Sequence, residues 1–172
     1  MLRLILLRHA KSDWNDMGLS DIDRPLNERG RRAAGRMATH FVESGLVPQR
    51  ILCSTARRAR ETLGFLVEAF AQPLAIDVIS DLYTFAGDDY IRIIQNWGRT
   101  GSPLMVVGHN PATEETARRL VGDDPDGLMT QLETKFPTAG AAVIDLPALD
   151  WSDIAPGSGR LISFDCPRDL VA

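Results

Sequence analysis

The sequence predicts an α/β fold: a three-layer sandwich with a mostly parallel central sheet of about six strands and helices on both faces. Three observations carry that expectation. Short apolar runs at Leu2–Leu7, Ile51–Cys53 and Leu104–Val107 have the length of buried strands. Between them lie segments whose apolar residues recur at helical spacing. Each run leads into a group able to do chemistry: Arg8-His9 after the first, Ser54 and Arg58 after the second, His109 after the third. In parallel sheets the carboxyl ends of the strands open on one crevice, where ligands bind.

The elements follow in order. Leu2–Leu7 is a strand, and residues 10–26, rich in Asp, Ser and Gly, are a loop long enough to suggest function. Asn27 caps a helix with Glu28 in its first turn; Ala33, Met37 and Phe41 share one face, and Gly45 and Pro48 stop it. Arg29, Arg32 and Arg36 fall on its solvated faces, and His40 near its end reads as structural. Ile51–Cys53 is a strand leading into a helix that places Ala59, Leu63, Leu66 and Phe70 together until Pro73. Leu74–Ile79 is a third strand, and Asp88–Trp97 a helix with Tyr90, Ile94 and Trp97 facing inward. Leu104–Val107 turns through Gly108-His109-Asn110-Pro111 into a helix, with Asn110 as cap and Pro111 at its first position. A short helix spans Asp126–Leu132. Ala141–Leu146 and Leu161–Phe164 form an antiparallel pair joined by a Pro/Gly/Ser-rich loop.

A length of 172 residues suits a single domain, 1–172. No apolar stretch is long enough to span a bilayer. The first run breaks at Arg8-His9, unlike a secretory signal. The expected location is therefore cytoplasmic, with no membrane partner. Cys53 and Cys166 show no metal-ligand spacing, and Cys53 reads as small core filler. Without HxH, CxxC or HExxH spacing, neither metal nor cofactor is expected. The net charge of −4 hides an asymmetry, because residues 1–60 hold 12 of the 19 basic and 6 of the 23 acidic residues. A basic first third fits an anion pocket. Nucleic acid is not the expected partner, since the basic residues lack interleaved aromatics and the chain as a whole is acidic.

Phosphoryl transfer needs cationic donors for the spreading oxygen charge and a nucleophile in line. Arginine offers a planar fork of donors to phosphate. Neutral imidazole keeps a free lone pair near pH 7. The helix start after Asn110 adds backbone N–H groups beside His109. Two imidazoles and two guanidiniums at three strand ends therefore predict a site that holds and attacks a phosphoryl group.

The stretch Leu6-Leu7-Arg8-His9-Ala10-Lys11-Ser12-Asp13-Trp14-Asn15 resembles the signature of the histidine phosphatase superfamily, the phosphoglycerate-mutase-like proteins. Ser54-Thr55-Ala56-Arg57-Arg58-Ala59-Arg60-Glu61-Thr62 is similar to that family's Ser-x-x-x-Arg-Ala-x-x-Thr motif, and Val107-Gly108-His109-Asn110 to its second histidine motif. The short chain and the Arg-His-Ala-Lys-Ser form look most like the SixA-type phosphohistidine phosphatases. The resemblance implies that His9 is a nucleophile carrying a transient phosphoryl group. It implies that Arg8 and Arg58 grip the phosphate oxygens and that His109 stabilises the transferring group. Asn15 and Asn110 become substrate-binding candidates. Arg57 neighbours Arg58, but the Ser54 spacing and the following Ala59 select Arg58.

The sequence departs from the family pattern twice. Ala10 replaces a glycine, which is tolerable if φ there is negative. The glutamate that many relatives place after the third strand is absent; Asp81 is the possible general acid. A phosphorylated imidazole leaves with less help from an acid than an alkoxide does. The expected substrate is therefore a phosphohistidine protein. The alternatives are a general small-molecule phosphomonoesterase, a mutase, and a non-catalytic phosphoryl-binding module.

Overall fold

The computed structural model describes residues 1–84 and 86–170. In chain order the elements are β1 (Leu2–Arg8), α1 (Glu28–Glu43), β2 (Arg50–Ser54), α2 (Arg57–Ala69), β3 (Ala75–Ile79), α3 (Gly87–Trp97), β4 (Leu104–Gly108), α4 (Ala112–Leu120), β5 (Val121–Asp123), α5 (Leu128–Thr134), β6 (Ala141–Leu146) and β7 (Gly159–Asp165). Among the described residues the strands form one sheet in the order β3-β2-β4-β1-β6-β7-β5. The β3–β2, β2–β4, β4–β1 and β7–β5 neighbours are parallel, whereas β1–β6 and β6–β7 are antiparallel. The fold is the α/β sandwich expected, with one strand more than the approximate count.

That extra strand is β5, a Val-Gly-Asp segment too short and polar to show a period. It exists because Val121 pairs with Gly159 at the sheet edge. Tertiary pairing, not local propensity, makes it a strand.

Alternation along the strands divides the core between the two faces. Leu4, Leu6, Leu52, Leu104 and Val106 pack toward α3, α4 and α5. Ile5, Leu7, Ile51, Cys53, Met105 and Val107 pack toward α1 and α2. β1 is covered on both sides, so Leu4 to Leu7 are all 0% exposed. Truncating any one of them to Ala should cost about 2–5 kcal/mol.

The helix starts have local causes. Asn27 Oδ1 accepts the Gly30 N–H at 2.7 Å, fixing the start of α1. The carboxylate of Asp124 accepts the Leu128 and Met129 N–H groups, both at 2.9 Å. These bonds start α5 two residues later than the sequence suggests. α4 begins at Ala112 with Pro111 at the N-cap, one residue later than expected; Asn110, just before the cap, accepts the Glu114 N–H through Oδ1 at 3.3 Å. Trp97 departs from expectation: it is 37% exposed at the last residue of α3, with Arg99 over its ring. The buried face of α3 belongs to Tyr90, Ile91, Ile93 and Ile94.

The long loop is pinned at its base. Ser12 bridges Leu26, the Asp13 N–H donates to Pro25 O at 2.8 Å, and the Asn27 N–H donates to Lys11 O at 3.0 Å. Arg24 turns back through Nη1 to Ser12 Oγ at 2.7 Å. The segment thus stands beside the end of β1.

Candidate active site

β2, β4 and β1 are parallel neighbours, so their carboxyl ends lie side by side. His9 follows β1, His109 follows β4, Ser54 ends β2, and Arg58 sits in the first turn of α2. All four are buried: His9 is 7%, His109 2%, Ser54 0% and Arg58 4% exposed. The imidazole centroids are 5.1 Å apart. Arg58 stands between them, with Nε 3.3 Å from His9 Nε2 and Nη2 3.4 Å from His109 Nδ1.

Hydrogen-bond chemistry fixes the state of His9. Its Nδ1 lies 2.6 Å from the Ala10 carbonyl oxygen, which can only accept, so Nδ1 carries the proton. Nε2 is left as the lone-pair nitrogen and accepts from Arg58. Burial pushes the His9 pKa down to about 3; the Ala10 bond opposes this, and the charges of His109, Arg58 and Arg8 add to it. Burial, reinforced by Arg58 and Arg8 and opposed by Asp21, lowers His109 to about 4. Both rings are therefore neutral at pH 7.

His109 is held by side chains. Its Nε2 is 2.7 Å from Ser54 Oγ. Its backbone N–H donates to Tyr90 Oη at 2.9 Å, and that hydroxyl donates to Leu82 O at 2.8 Å. Tyr90 explains Gly108, because a Cβ there would fall 2.3 Å from the phenol oxygen.

The Ser-x-x-x-Arg-Ala-x-x-Thr motif acquires a structural account. Ser54 holds His109, and Arg58 lies between the rings. Thr62 accepts the Ala10 N–H at 3.0 Å and donates to Arg58 O at 2.7 Å. Thr62 thereby ties the end of β1 to the first turn of α2. Arg57 points outward, with Nε 3.7 Å from Glu61. Ala10 is fully buried and is not among the positive-φ residues, so the departure from glycine strains nothing.

Arg8 is half-buried and donates through Nη1 to Phe136 O at 2.9 Å. Its buried Nε has no hydrogen-bond partner among the described residues. Arg8, His9, Arg58, His109 and Asn110 line one cavity of about 730 Å³. Asn110 donates from Nδ2 to Phe136 O at 3.3 Å. Asn15 is not there: it is exposed in a neighbouring groove, and Trp14 lines the cavity in its place. Asp81 is also outside, exposed in the 3-10 turn Ser80–Leu82.

Asp21 is a site residue the sequence did not single out. Among the described residues it is the one carboxylate lining the cavity. It accepts from Arg58 Nη2 at 3.1 Å, from Arg24 Nη2 at 3.0 Å and from the Tyr83 hydroxyl. The Tyr83 bond, ahead of Arg58 and Arg24, holds its pKa at about 2. Tyr83 itself stands edge-on to His109 at 5.3 Å. No residue spacing marks Asp21; it lies in an aperiodic loop, and only its three partners give it away.

Cys53 is fully buried, and burial raises its thiol to about 12, in keeping with core filling. Among the described residues no His, Cys, Asp and Glu cluster could hold a metal ion, and no helix is long and apolar enough to cross a membrane.

Comparison with known proteins gives a consistent picture. The family model for the histidine phosphatase superfamily (branch 1) matches residues 4–82. An uncharacterised Mycobacterium tuberculosis protein, Rv1276c, is 37% identical over 166 residues, covering 94% of this chain and 100% of its own length. A crystal structure from Agrobacterium tumefaciens, provisionally assigned as the phosphohistidine phosphatase SixA, is 35% identical with a TM-score of 0.81; the match covers 96% of this chain and 98% of that one. A second provisionally assigned SixA structure, from Nakamurella, is 26% identical with a TM-score of 0.83, covering 96% of each chain.

Proposed function

The chain belongs to the histidine phosphatase superfamily and is a phosphatase of the SixA type; from that premise we propose that it hydrolyses phosphohistidine in proteins through a phosphoryl group carried transiently on His9. One observation carries the reading: a neutral imidazole with its Nδ1 proton committed to a backbone carbonyl and its Nε2 lone pair facing an arginine and a second imidazole.

In the first step His9 Nε2 bonds to phosphorus as the substrate's P–N bond breaks. The substrate ring enters protonated on its other nitrogen; the bond pair returns to the leaving nitrogen, and the product departs as neutral imidazole keeping that one proton. His9 now has substituents on both nitrogens and is an imidazolium, whose Nδ1–H stays on the Ala10 carbonyl at 2.6 Å. That bond stabilises the charge and makes His9 a good leaving group for the second step. Water then attacks phosphorus, the P–Nε2 bond breaks, the water's proton passes to phosphate, and neutral His9 returns.

Arg58 and Arg8 supply donors to the equatorial oxygens. Arg8 brings its buried unpartnered Nε, a group that a phosphoryl oxygen would satisfy. His109 adapts to what faces it. Beside Arg58 its Nδ1 accepts. Ser54 can either accept from Nε2 or donate to it, so before a phosphoryl oxygen Nδ1 can carry the proton instead. An entering dianion also raises the pKa of both rings.

The choice of phosphohistidine rests on acidity. The cavity's carboxylate, Asp21, is held ionised at about 2 by Tyr83 and two arginines, so it offers no proton to a leaving alkoxide at neutral pH. A P–N substrate already protonated on its nitrogen system needs no such donor, since it leaves as a neutral amine or imidazole. The test is a side-by-side assay of a phosphohistidine polypeptide, phosphoramidate and a sugar phosphate. The two P–N substrates should turn over at least an order of magnitude faster in kcat/KM, that is by about 1.4 kcal/mol or more of barrier. Rapid hydrolysis of the sugar phosphate with phosphohistidine left intact contradicts the reading.

A further inference from the structure

The cavity carries more positive charge than one phosphoryl group needs. Its inner part holds Arg8, Arg24 and Arg58 against Asp21, leaving two positive charges. That matches a phosphoryl group of about −2. Its mouth adds Lys11, Arg29, Lys135 and Arg168 with no further carboxylate in the lining. These four come from separate segments: the start of the long loop, the first turn of α1, the end of α5 and the 3-10 turn Pro167–Asp169. All four side chains are exposed. Among the described residues Lys11, Arg29 and Lys135 make no ion pair, and Arg168 meets only its neighbour Asp169, at 3.5 Å.

Elsewhere on the surface several arginines are answered by acids, whereas Arg31, Arg36 and Arg60 donate only to backbone carbonyls and Arg99 lies over Trp97. Arg32 meets Glu28, Arg57 meets Glu61, Arg92 meets Asp89, and Arg118 meets Glu133. Against an overall net charge of −4, a basic ring in which three of four members make no ion pair among the described residues stands out. Four like charges at one mouth repel one another, and a ligand of opposite sign relieves that repulsion.

We propose that the rim formed by Lys11, Arg29, Lys135 and Arg168 is a docking site for acidic side chains flanking the phosphohistidine of a substrate protein. The proposal rests on the phosphohistidine reading above and adds the character of the surface that presents it. An acidic protein surface is the occupant committed to, because the cations are spread over four segments around an open mouth that Trp14 also lines at 69% exposure. Exposed rim charges act mainly on encounter and on KM, through a field that salt screens over about 10 Å at 0.1 M ionic strength.

The experiment uses the full chain and three phosphohistidine peptides of equal length, with Asp/Glu, Ser/Gly or Lys flanks, at low and moderate salt. The wild type should prefer the acidic peptide over the Lys peptide by tenfold or more in kcat/KM, mostly through KM, with the preference shrinking as salt rises. The double variant Lys135→Glu/Arg168→Glu should cancel or reverse that preference. The pair Lys135→Ala/Arg168→Ala introduces no new charge and should reduce it, keeping the test usable if the reversed pair fails to fold. Equal kcat/KM on all three peptides, or an unchanged preference in the reversed pair, overturns the rim proposal while leaving phosphohistidine hydrolysis standing. Preference for a small bisphosphorylated compound over the acidic peptide also overturns it, assigning the rim to a second phosphate. Failure to hydrolyse any of the peptides strikes the underlying function instead.

Discussion

The ends of β1 and β4 are adjacent, each presents a buried neutral imidazole, and they are built differently. At the end of β1, His9 is oriented by the carbonyl of the next residue, a group no substitution of a neighbouring side chain removes. At the end of β4, His109 depends on side chains: Ser54 on its ring, Tyr90 on its backbone, Tyr83 against its edge. A ring anchored by backbone has one tautomer and one unprotonated nitrogen, which suits a nucleophile. A ring anchored by a hydroxyl can exchange donor and acceptor roles, which suits a group that must meet changing charge on a transferring phosphoryl.

Substitutions can break this contrast at several depths. His9→Ala should lower turnover by on the order of a thousandfold or more, since it removes the bond-forming atom. Steady-state assay and circular dichroism together should show an inactive, folded protein. Arg58→Ala removes the donor shared by both rings and should cost about a hundredfold to a thousandfold in kcat. Ser54→Ala should act mainly on the β4 end, reducing kcat by roughly tenfold for the loss of the buried bond to His109, with a lesser loss of the Ala56 N–H bond at the start of α2. It should leave phosphoryl capture on His9 intact in a single-turnover experiment. Tyr90→Phe strands both the His109 N–H and the Leu82 carbonyl, and should lower unfolding free energy by about 1–3 kcal/mol in denaturant melts. Equal effects of Ser54→Ala on capture and turnover would erase the distinction between the two ends.

The pH dependence tests both ends together. With His9 near 3 and His109 near 4, the free enzyme keeps both rings neutral well below the ordinary histidine range. kcat/KM, corrected for ionisation of the substrate, should therefore stay flat from pH 7 to about 5 and lack an acid limb at about 6.5. Stability runs the other way. Both native pKa values are depressed, so below about 6.5 the unfolded state binds protons that the native state does not. Stability should fall progressively as the pH drops from about 6.5 toward the native values, then level off with respect to these two groups. Thermal melts across that range would show it.

The sequence was legible where chemistry is tied to periodic elements. Apolar runs of strand length ending in Arg8-His9, Ser54 and His109 gave both the fold and the point of convergence. The Ser54 spacing and the following Ala59, matched to the family motif, selected Arg58 over Arg57, and in the structure one helical step separates the buried Arg58 from the outward Arg57. Legibility failed in aperiodic segments. Asp21 and Asn15 lie in the same loop, whose path is set by the Ser12–Leu26 bridge and Arg24, neither of which leaves a local pattern. The loop therefore delivers Asp21 and Trp14 to the cavity and turns Asn15 away. Asp81 drew notice by proximity in sequence to the third strand, but the turn there aims Tyr83 at the site instead.

The most direct measurement is to trap the phosphoryl group itself. Wild-type protein mixed with a labelled phosphohistidine peptide or phosphoramidate, quenched in alkali within the first turnovers and mapped by mass spectrometry, should carry acid-labile phosphate on His9. The His9→Ala protein should carry none. Turnover proceeding with phosphate never found on His9, or with label retained elsewhere when His9 is replaced, would contradict the covalent account.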